Sequence, residues 1–361
     1  MVDLDNRSTY ERLDPSGLHQ RLQGLPTQCD RAWHEAKRTK FPEDWRQCTE
    51  VIIAGMGGSA IAGNLAADLA GPSSGTPIRV VRDFHIPGIA TNRVTKRGPL
   101  VVVCSFSGET EETLSMFDHA RSAGAAVAAI AGGGTLGRRA AEAGIPLMTV
   151  DAPGEPRSAV GYNLMLLASL LDRIGVLSIS DREVAEAVET AESLVSQVGI
   201  EVPAEDNPAK LLARDLVGRL TLVYGGGNLS GMGLRWKSQI NENGKSWAFT
   251  ESLPEIFHNS VESFPSAPEI RQRTTALLLK PYQITAELER RYTVLGEILD
   301  RSGIENRVFT GVSGGPLAQS LSMIVLGDHV SYYMGLLNGI NPSETPGIDL
   351  SKARLSISDS S

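Results

Sequence analysis

Cysteine is nearly absent from this sequence. Cys29, Cys48 and Cys104 are odd in number and widely spaced, so they form neither a disulfide framework nor a zinc-ligand pattern. Aromatic residues are scarce at 5%, which favours helices packed closely on a sheet over a sandwich or an aromatic-rich nucleic-acid binder. Runs of positive charge are missing too. Thirty-four Lys+Arg stand against 42 Asp+Glu, a net charge of −8 that repels polyanions. Nor does any apolar run reach the roughly 18 residues a membrane helix needs; Ala159 to Leu171 is interrupted by Gly161, Tyr162 and Asn163. The polar, acidic beginning has no signal-peptide pattern. These absences lead us to expect a soluble, cytoplasmic protein with neither nucleic acid nor membrane as partner.

Glycine and apolar residues are plentiful. With 37 glycines, 41% hydrophobic residues and 361 positions, the chain can build two cores at roughly 150 residues per domain. Short apolar runs alternate with helical stretches. Val51–Ala54, Ile78–Val81, Leu100–Cys104, Ala126–Ile130 and Pro146–Val150 read as strands, with helices over about 60–69, from Glu111 through Ala123, and over 181–200. A proline-rich segment at 202–208 reads as a linker, and residues 15–40 as helices lying outside the first domain. The pattern then restarts with strands at Leu220–Tyr224, Trp247–Phe249, Thr275–Leu279 and Arg307–Phe309. Gly55 and Gly225 open two similar strand–glycine–helix units 170 residues apart. The expected fold is α/β, with duplicated, mostly parallel sheets flanked by helices in flavodoxin-like three-layer units.

A glycine turn between strand and helix is a ready anion site, because its N–H groups point outward and the helix dipole adds about half a positive charge. Gly55-Met56-Gly57-Gly58-Ser59-Ala60 fits the loose pattern G-x-G-x-x-A, with Asp83 following the second strand. A dinucleotide site, another phosphate site, and glycine used only for close packing all fit that turn. Ser105-Phe106-Ser107-Gly108-Glu109-Thr110 shifts the balance towards phosphate. Its hydroxyls at i, i+2 and i+5 can surround one phosphate at the carboxyl end of a strand. Ser107 or Thr110 acting only as a helix cap is the plainer alternative, but it does not account for Ser59 and Ser105.

Those two loops together resemble the sugar isomerase (SIS) domain, and the second half narrows the likeness. Arg235-Trp236-Lys237-Ser238-Gln239-Ile240-Asn241-Glu242-Asn243 and Pro254-Glu255-Ile256-Phe257-His258-Asn259 resemble the bifunctional phosphoglucose/phosphomannose isomerases. So do Glu155-Pro156-Arg157-Ser158-Ala159-Val160-Gly161-Tyr162 and Thr345-Pro346-Gly347-Ile348-Asp349-Leu350-Ser351-Lys352. The likeness spans roughly 45–355. It implies a helical extension over 1–44, a first SIS domain over 45–177, a helical linker over 178–208 and a second SIS domain over 209–361.

Moving a carbonyl between C1 and C2 of a sugar requires a base, charge stabilisation for the enediolate, and an acid to open the ring. No redox cofactor is called for. The resemblance implies Glu242 as base, with Arg157 stabilising the enediolate. It also implies His258 and Lys352 as the ring-opening pair, and an obligate homodimer in which His258 reaches in from the second subunit. Gly57, Gly58, Ser59, Ser105, Ser107 and Thr110 would hold the phosphate, and Thr345 would leave room for either C2 epimer. Read as single residues, Glu242 could be a solvated helix end, Arg157 a surface partner of Glu155, His258 a structural hydrogen-bonder and Lys352 a solvated terminal lysine. Gly225–Ser230 is expected to close around the sugar without making a second phosphate site. Two positions depart from the family pattern: Ser260, where a glutamate is expected after His-Asn, and Glu109, where asparagine is usual. A sugar-phosphate sensor without catalysis is the alternative function; it would keep the serine loop and lose the acid–base set.

Overall fold

The computed structural model describes residues 2–71, 74–89 and 98–355. Three short helices open the chain: α1 (Arg7–Leu13), α2 (Leu18–Gln23) and α3 (Leu25–Ala36). The first sheet follows, with β1 (Val51–Gly55), α4 (Gly57–Ala70), β2 (Ile78–Val81), β3 (Leu100–Ser105), α5 (Glu111–Ser122), β4 (Ala126–Ala131), α6 (Gly134–Glu142), β5 (Leu147–Thr149) and α7 (Val160–Arg173). Next come α8 (Asp181–Val198) and α9 (Pro208–Leu216). The second sheet unit holds β6 (Leu220–Gly225), α10 (Ser230–Glu242), β7 (Ala248–Ser252), α11 (Pro268–Arg271), β8 (Thr274–Lys280), α12 (Ala286–Arg301), β9 (Glu305–Thr310), α13 (Pro316–Leu337) and α14 (Pro346–Leu355).

Both sheets are parallel throughout, in the orders β2-β1-β3-β4-β5 and β7-β6-β8-β9. The duplicated, helix-flanked α/β architecture expected from the alternation is therefore present. Parallel strands covered on both faces have no polar face to show, and β1 and β3 are buried at every position. One hydrophobic core takes in the inner faces of both sheets (Val51, Ile53, Val102, Val223, Leu277) and the helices between them, among them α4, α7, α10 and α13. Separate clusters cover the outer faces, under α5 and α6 on one side and α12 on the other.

Helices α4 and α10 meet closely in this middle layer: a Cβ on Gly231 would lie 2.9 Å from the Cβ of Asn64. Their directions are opposed, for the first turn of α10 touches the last turn of α4, where Gly231 donates its N–H to Asp68 at 2.6 Å. α13 approaches α10 as tightly, with Gly335 so near that a Cβ would sit 2.4 Å from the Asn243 carbonyl. The opening helices are tied into the same assembly. The fully buried Lys210 ammonium donates to the carbonyls of Leu4 (3.0 Å), Ile200 (2.9 Å) and Val202 (2.7 Å), and Tyr332 donates to Asp14 at 3.0 Å.

The sequence reading started α4 three residues late, at Ala60; the observed helix begins on Gly57. It also passed over α6, α7, α9, α12 and α13. Among the described residues no helix is long and apolar enough to cross a membrane.

Candidate active site

In an open parallel sheet, ligands bind beyond the carboxyl ends of the strands where the strand order reverses. In the first sheet that point lies between β1 and β3, and both candidate loops emerge there, since Gly55 pairs with Cys104 across the ladder. Gly57 has φ +48°, a left-handed conformation suited to glycine, with nothing within 4 Å of where its Cβ would be. No side chain caps α4, so its first N–H groups face the open edge, beside the buried Ser59.

The serine loop is held by its own hydroxyls. Ser105 Oγ accepts the Gly108 N–H at 3.0 Å and lies 3.0 Å from Thr110 Oγ1. Ser107 Oγ accepts the Glu109 N–H at 3.1 Å, while its side chain stays exposed at the edge. Glu109, one of the two departures, reaches across to accept the Thr135 N–H at 2.7 Å at the start of α6. The hydroxyl of Thr135, and after it this N–H, hold its carboxyl below the usual range. The residue thereby clamps the loop onto the neighbouring glycine turn, where Gly108 approaches Gly133 too closely to admit a Cβ.

Behind this edge lies Arg157. A Cβ on Gly58 would be 3.7 Å from the Arg157 Cα, so the α4 turn and the arginine segment are in contact. The alternative of a surface partner for Glu155 does not hold: Arg157 is 5% exposed, and Glu155 instead takes a two-pronged contact from Arg21 at 2.8 and 3.0 Å. Arg157 donates from Nε to Asn243 Oδ1 (2.6 Å) and from Nη2 to the carbonyls of Pro342 (2.9 Å) and Ser343 (2.7 Å). Its Nη1 faces Glu242 Oε2 at 3.6 Å. Burial lowers the guanidinium pKa, while Glu242 and Glu155 raise it.

Glu242 is the last residue of α10 and keeps 28% of its side chain exposed, so it can meet both the cation and a ligand. Its neighbour Asn243 is fully buried and donates to Ser331 Oγ at 3.1 Å. Ser331 donates to the Asp328 carbonyl, and the Asp328 carboxylate takes two bonds from Arg235 at 2.6 and 3.0 Å. Arg235 returns to the Arg157 carbonyl at 2.8 Å, closing a buried ring. A carboxylate and a guanidinium are thus fixed side by side, with Nη1 free of other protein acceptors among the described residues.

The remaining candidates stand apart from this pair. His258 is exposed, in a single 3-10 turn after β7, with no side-chain hydrogen bond among the described residues. Ser260, the other departure, directs its hydroxyl to Glu251 and to Asn259. Lys352 is exposed on α14, and Thr345 is half-buried just before that helix. Asp83 lies exposed after β2 and accepts the Phe84 N–H. Gly225–Ser230 does not close around this edge, which corrects that expectation. The turn lies at the opposite end of α10 from Glu242, about 18 Å away at 1.5 Å per residue. Sequence reasoning did not single out Asn243 or Lys245. Both lie in or beside the motif around Glu242, and a polar residue at the end of an otherwise buried helix was the available signal.

The two sheets, the glycine turn and the serine loop define a SIS-type α/β protein. The family model described as the bacterial phospho-glucose isomerase C-terminal SIS domain matches residues 205–355. A bifunctional phosphoglucose/phosphomannose isomerase from Caldicellulosiruptor bescii is 30% identical over 94% of this chain and 98% of its own. One of the same name from Aquifex aeolicus is 31% identical over 84% and 90%. The chain belongs to the bifunctional phosphoglucose/phosphomannose isomerase family. A solved structure of a hypothetical protein from Thermus thermophilus shares the fold, with a TM-score of 0.70, 17% identity and coverage of 98% and 94%.

Proposed function

We propose that the protein interconverts glucose 6-phosphate and mannose 6-phosphate with fructose 6-phosphate through an enediolate. The Glu242–Arg157 pair at the edge of the α4 turn carries this reading. Residues 45–177 hold the phosphate, on the N–H groups of Gly57 and Gly58 and the hydroxyls of Ser59, Ser105, Ser107 and Thr110. Residues 209–361 supply the base. Glu242 takes the proton from one carbon and returns it to the next, and Arg157 Nη1 stabilises the charge gathering on the adjacent oxygen. The hydrogen stays within the substrate, so the step is redox-neutral.

Lys352 and His258 open the ring, and Thr345 leaves space for both C2 epimers. His258, exposed and with its side chain unbonded in its own protomer, serves the site of a second subunit in a cytoplasmic homodimer. The experiment is coupled-assay turnover of fructose 6-phosphate to each aldose phosphate with EDTA present. Activity on both is expected. No turnover on either, with tight sugar-phosphate binding by calorimetry, would make the protein a sensor instead.

A further inference from the structure

Lys245 follows the turn that carries Glu242, and its backbone is unusual. It has φ +49°, the one non-glycine residue with positive φ among those described. The glycine beside it does not relieve that strain. Gly244 packs so closely on Ile240 and Met334 that a Cβ would lie 2.7 Å from the Ile240 carbonyl, and the left-handed conformation falls on the lysine. A long side chain in this region is disfavoured by its own Cβ, and such outliers persist where the surroundings over-determine them.

The strained conformation aims the ammonium at two carbonyls. Lys245 Nζ donates to the Glu242 carbonyl, at the end of α10, and to the Pro342 carbonyl at 3.3 Å. Arg157 donates to the same Pro342 carbonyl and to that of Ser343. Two cations therefore hold one stretch of backbone, and that stretch leads directly to Thr345 and to α14 with Lys352. Of the two, the lysine is the one that also bonds the backbone carrying Glu242.

We propose that Lys245 is a positioning residue, which ties the turn bearing Glu242 to the segment 342–345 so that this segment is held across the base. The proposal rests on the isomerase reading for its kinetic consequence, but the tether itself does not. Around the ammonium stand Arg157, Glu242, Glu344 and Glu155. Burial, then Arg157, bring its pKa down to about 8, against the opposing pull of the three glutamates. The charge-assisted bonds weaken as the proton leaves, so the tether is strongest below about pH 8.

Three variants separate this role from a general contribution to stability. Lys245→Gly removes the side chain and the backbone strain together, Lys245→Met removes the ammonium and keeps the strain, and Lys245→Arg keeps a cation. We expect Lys245→Met to melt lower than wild type and Lys245→Gly to melt near it. Both should lose kcat by about tenfold to a hundredfold, the scale of a misplaced catalytic segment, with KM changed far less. Lys245→Arg should recover part of the loss, and the fall in wild-type kcat above about pH 8 should be missing in Lys245→Gly. Wild-type kcat in Lys245→Gly, or losses that follow melting temperature across the series, would overturn the proposal. Hydrogen exchange at residues 341–346 reads the tether with no substrate present. Faster exchange there in Lys245→Gly is expected even if the wild type proves inactive, an outcome that would remove the isomerase reading alone. Unchanged exchange would remove the tether.

Discussion

The two glycine turns of this protein begin alike and end differently. Each follows an inner strand of a parallel sheet, opens a helix of the shared middle layer and sits where the strand order reverses. At the first turn, α4 has no capping side chain and the space beside Gly57 is empty. At the second, Gly226 lies against Leu253, Leu288 and Tyr292, and Gly227 against Leu288 and Pro281. The first turn of α10 is already served by the Asp68 carboxylate. The orphan N–H groups of a helix start are satisfied by protein or left for a ligand, and here one duplicate has taken each course. Because α4 and α10 run in opposed directions, the open start of α4 faces the finished end of α10, which delivers Glu242. A lone copy of either unit would have an uncapped helix start or a carboxylate, and the pairing brings both to one edge.

The comparison can be tested at both ends. The largest effect belongs to Glu242→Gln, which should cut turnover by about 10³-fold, within the range for general acid–base groups, while calorimetry still shows sugar-phosphate binding. Near-native turnover would remove Glu242 as the base. Ser107→Ala should act on KM first, raising it about tenfold for a hydroxyl that bonds phosphate in ground and transition states alike. An unchanged KM would take Ser107 out of the phosphate site. Gly226→Ala should do the reverse of Ser107→Ala. Its Cβ would stand 3.1 Å from Leu253 and 3.3 Å from Leu288, an overpacking cost of about 1–3 kcal/mol. Melting temperature should drop and KM hold; a raised KM would mean that the second turn also serves the ligand.

The smallest effect concerns Asp68, whose carboxyl burial pushes up to about 7, against the lowering bond from Gly231. Between about pH 4 and 7 the folded chain keeps a proton that the unfolded chain releases, so stability falls as pH rises through that window. An asparagine at this position would escape the penalty and could still accept the Gly231 N–H. Asp68→Asn should therefore melt about 2 °C or more above wild type at about pH 8, at a few degrees per kcal/mol, with the gap shrinking as the pH is lowered towards the carboxylate range. A lower melting temperature in the mildly alkaline buffer would show that the charge, and not only the acceptor, is what α10 requires.

What could be read from sequence divides along physical lines. β1, β3 and their loops were legible because apolar runs of strand length ended in glycine or serine, a local signal. α13 was not, since it is buried on nearly every side and so lacks the one-sided apolar stripe by which a surface helix is recognised. The partner of Arg157 was not legible, for another reason. Glu155 is two residues away and Glu242 eighty-five, and only packing can choose between them. Asp68 and Lys210 had no local mark at all; their roles come from segments that meet across the middle layer.

Lys210 has a consequence for how the chain is made. Its ammonium is buried against the Leu4 carbonyl, and Tyr332 is bonded to Asp14. The segment from Leu4 to Asp14 thus docks on residues synthesised about two hundred and three hundred positions later. At roughly 5–20 residues per second, this segment waits tens of seconds after its own synthesis for its seat. Until then the stretch from Leu4 to Asp14 lacks the partners that hold it in the finished fold.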